Sequence, residues 1–304
     1  MAKTEEIAGK FLGKKVEGKS IYDPSFLVAV PRQENRTYLG LDEQHFPQGF
    51  DTWYGYEFTA LTNKGLPLNR VIKITYPSSS PSIVESKSLK LYLNTFAMTK
   101  LGETFEAVLA KAQEMITADL SKLLETNVTV SFIDEDTERD EIFGYFDNIY
   151  EDLKGDEFEV TEYEENPDLL KVQQTDGGRV RMYVFHSLKS NCRVTHQPDF
   201  GDVFVYYQSN KEINKESLIR YLCSFRHEFH FHEECCEAIF TRLKAILDPE
   251  DPLMVTALYT RRGGIDINPC RYQNLDKFNG VLEQDIDSLS EPGLFTRYEQ
   301  NIKQ

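Results

Sequence analysis

The sequence predicts an α+β protein made of two similarly ordered halves, and three observations carry that expectation. Residues 56–61 and 71–76 alternate apolar and polar side chains with the period of half-buried strands, joined by a loop containing Gly65 and Pro67. Beyond them, apolar residues recur at three and four, the spacing of an amphipathic helix. The second half then restarts the pattern, with strand-like residues 181–185 and 202–207 followed by helical spacing over 215–226 and 233–247. Strand pairs followed by helices, rather than strict alternation, point to antiparallel sheets with helices on one face.

In chain order, residues 1–52 are rich in Gly, Pro and polar side chains, and no element is placed there. The two strands follow, then a loop at 77–81 and a polar stretch at 83–92. Phe105, Val108, Leu109, Ala112, Ile116, Leu120, Leu123 and Leu124 define a helix of about five turns, with Thr104 at its cap position. Residues 128–133 form another strand. The segment 134–178 is acidic but carries Phe143, Tyr145, Phe146 and Tyr150 among its carboxylates. It reads either as a disordered linker or as an insert with its aromatic side packed down; the aromatic content favours the insert. Residues 253–259 form the final strand. The expected division is therefore 1–133, an insert or linker at 134–178, and 179–304, a duplication of architecture rather than of residues.

The formal charge of −16 is unevenly spread. Between Asp134 and Glu165 there are 15 Asp or Glu against two basic residues, so the remainder is nearly neutral. An anionic cofactor is not excluded, whereas direct nucleic-acid binding lacks the basic stripe it needs. Five cysteines, two of them adjacent, suggest no disulfide framework and fit a reducing, cytoplasmic setting. The longest early apolar run, 26–30, is too short for a membrane span.

Four stretches hold chemistry-bearing residues. In residues 190–201, Cys192 has Ser190 and Thr195 on either side, His196 four residues on and Asp199 seven on, in what reads as a polar loop stiffened by Pro198. Cys192 is a candidate nucleophile, although a free cysteine is often only a small buried hydrophobe. Glu85, Lys87 and Lys90 could be no more than a solvated helical face. Around His230, His232, Cys235 and Cys236 the spacing lacks CxxC or HExxH, so packing cysteines and no metal are expected, with zinc as the alternative. Arg261-Arg262-Gly263-Gly264 is a basic turn or a phosphate contact, and no Gly-x-Gly-x-x-Gly follows a strand anywhere.

Four runs carry a resemblance: Ser190-Asn191-Cys192-x-x-Thr195-x-Gln197-Pro198-Asp199-aromatic-Gly201, Glu85-Ser86-Lys87-Ser88-Leu89-Lys90-Leu91-Tyr92, Phe231-His232-Glu233, and Arg262-Gly263-Gly264-x-Asp266-x-x-Pro269-x-Arg271. Together the sequence resembles the long form of the QueF family, the NADPH-dependent 7-cyano-7-deazaguanine reductases of tRNA queuosine biosynthesis. Arg193 stands where many short members have Pro, and Phe200 where Trp is frequent. The resemblance implies two tandem tunnelling-fold modules, the Glu-Ser-Lys motif in the first and the catalytic cysteine in the second. It implies Cys192 and Asp199 as catalytic residues, Val84, Glu85, Ser86, His232 and Glu233 around the substrate, and Ser86, Lys87, Arg262 and Gly263 around NADPH. A deazaguanine offers a ring N–H beside an exocyclic amine, which a carboxylate accepts in parallel; Glu85 and Glu233 are the two candidates. In the implied reaction Cys192 attacks the nitrile carbon, Asp199 protonates the nitrogen, and the resulting thioimide is reduced to the amine. A homodimer is the expected assembly. A nitrilase-type thiol hydrolase and a non-catalytic purine- or pterin-binding module are the alternatives.

Overall fold

The computed structural model describes residues 6, 7, 9, 21–41, 46–150, 153 and 158–298. The residues 1–5 and 10–20, and part of the acidic segment at 151–152 and 154–157, lie outside this description. Where the first 52 residues show no sequence pattern, the structure places a 3-10 turn Pro24–Phe26 capped by Asp23, strand β1 (Ala29–Pro31) and helix α1 (Gln33–Tyr38). Strands β2 (Gln48–Thr62) and β3 (Pro67–Pro77) pair antiparallel, and β4 (Ser82–Val84) pairs with β1. Helix α2 (Ser86–Asn94), β5 (Lys100–Gly102), helix α3 (Phe105–Leu124) and β6 (Thr129–Ile133) complete the first half. Thr104 caps α3, its hydroxyl accepting the Ala107 N–H at 3.2 Å, and Val108, Ala112, Ile116, Leu120 and Leu124 are its buried stripe.

The acidic segment contributes β7 (Arg139–Ile142) and β8 (Asp147–Asn148). The second half then runs β9 (Val172–Cys192), β10 (Pro198–Ile213), α4 (Lys215–Cys223), β11 (Phe229–His230), α5 (His232–Ile246) and β12 (Leu253–Tyr259). The strand at 253–259 is not the final one. It is followed by β13 (Ile265–Gln273), α6 (Gly280–Ser290) and β14 (Phe295–Tyr298).

Among the described residues ten strands join in one sheet, in the order β11-β9-β10-β12-β13-β2-β3-β6, with β5 beside β2 and β8 beside β9. The halves are joined strand to strand: β13 runs antiparallel to β2 from Ile265 opposite Gly55 to Tyr272 opposite Gln48. Alternation along the strands separates two faces. Val203, Val205 and Tyr207 of β10 pack into a core with α4 and α5, and Trp53 of β2 packs into a core with α2 and α3. The residues between them, Phe204, Tyr206 and Phe50, point the other way and are covered by α6 and by Ile142, Phe143 and Phe146 of the acidic segment. The α+β tunnelling-fold architecture thus carries its helices on one face, as the sequence predicts, and adds α6 on the other.

The buried side chain of Lys73 on β3 fastens α6 in place, donating to the carbonyls of Ser288, Glu291 and Leu294 at 3.2, 2.7 and 2.9 Å. An amine there satisfies the Ser288 and Glu291 carbonyls that the end of the helix leaves open, and that of Leu294 just beyond it, while burial lowers its pKa to about 7. Among the described residues no helix is long and apolar enough to cross a membrane.

Candidate active site

The β9–β10 hairpin carries the cysteine. The sequence reads residues 190–201 as one loop, but both strands continue into it: Ser190 pairs with Asp199, Asn191 with Pro198, and only 193–197 are left to turn. The turn is closed by the Cys192 N–H donating to the Gln197 carbonyl at 2.8 Å and the His196 N–H donating to the Cys192 carbonyl at 2.9 Å. His196 takes a left-handed φ of 56° to make the corner. Pro198, which cannot donate to a ladder, opens its strand, where that loss is tolerated. Directly opposed residues share a face, so Asp199 lies on the same side as Ser190 and, two residues on, Cys192; diagonal pairs of this kind are roughly 7–8 Å apart at Cα. Strand β11 pairs parallel with Asn191 and Cys192 on the other side, so Cys192 is held between two neighbours. Cys192 is buried.

Asp199 is enclosed by the second half's own residues. One oxygen lies 2.7 Å from Arg262 Nη1, close but not aligned as a hydrogen bond, and the other lies 3.3 Å from His232 Nε2. The His232 ring stacks flat on Tyr259, with centroids 3.8 Å apart and planes at 3°. A Cβ at Gly201 would come within 3.2 Å of that tyrosine ring, so the glycine keeps room for the stack. His232 Nδ1 is buried and has no hydrogen-bond partner among the described residues.

From the first half, α2 brings Glu85, Ser86, Lys87 and Lys90. Glu85 caps this helix: its carboxylate accepts the Lys87 N–H at 3.0 Å and the Ser88 N–H at 2.7 Å, and Ser86 Oγ approaches it at 3.4 Å. Burial pushes the Glu85 carboxyl up, opposed by those amides. Much of what the sequence assigns to substrate recognition at Glu85 is therefore spent on the helix, with about one lone-pair direction left over. Lys90, quoted in the motif but given no role by the sequence, donates to the Gly263 carbonyl and lies 3.2 Å from Glu57. It ties α2 to the turn ahead of β13. Gly264 in that turn has φ +80°, a conformation that other side chains rarely adopt, and a Cβ there would also push the Glu57 carboxylate, 2.6 Å away, out of its place.

These pieces enclose one cavity of about 520 Å³ between the halves, within the size of small-ligand sites. Glu85, Ser86, Lys87, Cys192, His232, Arg262 and Gly263 line it, together with Lys90, Thr195 and Gln197. Three residues expected at the site stand behind that lining. Val84 is buried in the β1–β4 pair, Asp199 in the hairpin, and Glu233 in a cluster of charges. In that cluster Asp51 lies 2.5 Å from Arg32 and 2.7 Å from Arg271, and Glu237 lies 2.8 Å from Arg36. Arg32 and Arg36 come from the stretch in which the sequence shows no element; isolated charged residues there carry no signal of burial.

The adjacent cysteines of α5 pack separately. Burial pushes the Cys235 thiol up to about 12, while Cys236 Sγ donates to the carbonyls of Val255 and Pro269 at 3.4 and 3.5 Å. Among the described residues no group of three His, Cys, Asp or Glu side chains converges as a metal site would require.

Two family models match the chain. That described as nitrile reductase, 7-cyano-7-deazaguanine reductase N-terminal domain, matches residues 19–132, which contain the Glu85 motif. That of QueF-like proteins matches residues 198–277, from Asp199's strand through Arg271, with Cys192 just ahead of it. With both halves matched over more than half of its length, and their motifs meeting at one cavity, the chain belongs to the QueF family of nitrile reductases.

Proposed function

We propose that the chain reduces the nitrile of 7-cyano-7-deazaguanine to the primary amine of 7-aminomethyl-7-deazaguanine, with NADPH, in the path to queuosine in tRNA. The observation that supports it most directly is the meeting of Cys192 and His232, whose buried Nδ1 has no hydrogen-bond partner among the described residues, in one cavity at the boundary of the halves. A purine-like base with both donors and acceptors would satisfy such an atom; an apolar ligand would not.

Cys192 sulfur forms a bond to the nitrile carbon, and the thiol proton passes to the nitrogen, giving a neutral thioimide. Asp199, on the same face of the hairpin and with one oxygen 3.3 Å from His232 Nε2, is the group to relay that proton. Lys87, Lys90 and Arg262 in the cavity lining, with Gly263 allowing close backbone approach, fit a phosphate-bearing cofactor. Ser86 and the α2 amides contribute less, because Glu85 already occupies them. Bound there, NADPH would supply the two hydrides, four electrons in all, that separate a nitrile from a primary amine. When the carbon–sulfur bond breaks, Cys192 leaves as thiolate; one proton from solvent then completes the amine and a second restores the thiol for another cycle.

The test is the absorbance of NADPH on addition of the cyano-deazaguanine. The expected result is oxidation of two NADPH per nitrile. Ammonia release without NADPH oxidation would replace the reductase with a thiol hydrolase, and an unreactive Cys192 would leave only a binding module.

A further inference from the structure

We propose that Arg193 is a positioning residue for the nucleophile: through Glu234 it fastens the turn that follows Cys192 to the start of α5, which carries His232, and so sets one wall of the cavity against the other. The inference rests on the reading of Cys192 as the residue that attacks the nitrile, and concerns how that residue is held.

The turn has little else to aim it. Pairing with β11 ends at Cys192 and pairing with β10 begins at Pro198, so no ladder reaches residues 193–197. Val194, Thr195 and Gln197 nevertheless line the cavity beside Cys192. The two backbone bonds that close the turn both end on Cys192, so a tilt of the turn passes directly to that residue. Among 193–197 only Arg193 is buried. Its Nη1 donates to Glu234 Oε1 at 3.1 Å and its Nε approaches the Phe229 carbonyl at 3.5 Å. Glu234 in turn accepts the Phe231 N–H at 3.0 Å, which caps α5 immediately ahead of His232. One carboxylate thus joins the cysteine's turn to the helix start that presents the histidine.

The other contact between the two walls is apolar: Val194 and Phe231 both pack against Val30 and Ile83. Apolar packing holds surfaces together without fixing a direction, whereas a charge-assisted hydrogen bond does both. The surroundings also let the pair act on geometry rather than on the fold. His230 stands between the two carboxylates, its Nε2 3.5 Å from Glu228 and its Nδ1 3.8 Å from Glu234. Without Arg193, Glu234 therefore keeps the Phe231 N–H and a neighbouring imidazole and is not stranded as a lone buried charge. The first loss is the angle of the turn. A reacting atom displaced by about 1 Å costs about 10² in rate, which is the scale on which such a loss is felt.

The experiment follows adduct formation by rapid mixing of the protein with the cyano-deazaguanine without NADPH, acid quench and intact-protein mass spectrometry. It reads the saturating rate, the half-saturating concentration and the final amplitude. Arg193→Met should slow the saturating rate about 10- to 100-fold, with half-saturation within about threefold of the parent and full amplitude. Arg193→Lys should restore the rate to within a few-fold, because the contact is a single bond that a point charge can replace. Glu234→Gln should slow the rate as Arg193→Met does, and the two together should slow it no further, as residues acting as one unit do. A parent-like rate in Arg193→Met overturns the inference, and so does a parent-like rate at reduced amplitude, which marks a misfolded fraction only. Slowing that multiplies in the double variant also overturns it, since Arg193 then acts by another route than Glu234. If Arg193→Met does not fold, the two size-conserving variants decide: a slow Glu234→Gln beside a fast Arg193→Lys upholds the inference, and a parent-like Glu234→Gln or a slow Arg193→Lys overturns it. A parent protein that forms no adduct removes the assignment of Cys192 and this inference together.

Discussion

Cys192 and Asp199 stand on neighbouring strands and face the same side, which divides their labour in a way two substitutions can separate. Cys192→Ala should form no adduct with the nitrile at any time while still binding it. Asp199→Asn keeps the shape of the side chain but cannot relay a proton, and should slow turnover by roughly 10² to 10⁴ with affinity retained. Intact-protein mass spectrometry without NADPH reports the adduct, and NADPH oxidation reports turnover. An Asn variant that forms the adduct and turns over within a few-fold of the parent would reduce Asp199 to a support for the turn, and His196 or a water would become the proton carrier. The identities and spacing of these residues were legible in the sequence; their placement was not. A run of Ser, Asn, Thr, Gln and Pro has the chemistry of a turn, yet pairing with β11 and β10 draws Ser190, Asn191, Cys192 and Asp199 into strands.

Among the elements, the paired strands and the long helix follow their periodicity, because an apolar stripe has to face a core. Helix α6 had a readable signal as well: Leu282, Ile286 and Leu289 recur at four and three, and Asn279 caps it with its side chain on the Leu282 N–H at 2.9 Å. Its position opposite the other helices has no local signature, since it depends on Lys73, some two hundred residues earlier. Lys73→Met should leave three carbonyls without their shared donor and destabilise the fold by about 3 kcal/mol. Equilibrium unfolding in urea would measure the loss, and hydrogen exchange should show it concentrated in α6. Protection of α6 equal to the parent's would mean that its apolar face alone holds it.

At the scale of the molecule, one sheet runs through both halves and one charge cluster bolts them together. Arg271 of the second half meets Asp51 of the first, and Arg36 from the N-terminal segment meets Glu237 of α5. These pairs are almost wholly buried, so removing one partner strands a charge. Arg36→Met should cost about 3–5 kcal/mol, whereas Arg36→Met combined with Glu237→Leu should cost clearly less, because no lone charge remains. Chemical denaturation of the parent, single and double variants measures the difference. A double variant as unstable as the single would show that Arg36 acts by packing, for instance through its stack on Phe46 at 4.1 Å, rather than by charge.

By itself the sequence determined the α+β class, the order of most elements, the four motifs and the residue types proposed to attack, relay and recognise, because periodicity and motif spacing are local properties of a chain. Only the tertiary structure decided that Glu85 is largely committed to capping α2, that Lys90 joins the halves, that Arg262 rests on Asp199, and that Glu233 is buried among Arg32, Asp51 and Arg271. Each of these is a contact between residues far apart in sequence, or a choice between solvent and interior for a charged side chain. An isolated arginine or glutamate looks the same in sequence whether water or a buried partner satisfies it, and that difference sets which groups are free to meet a ligand.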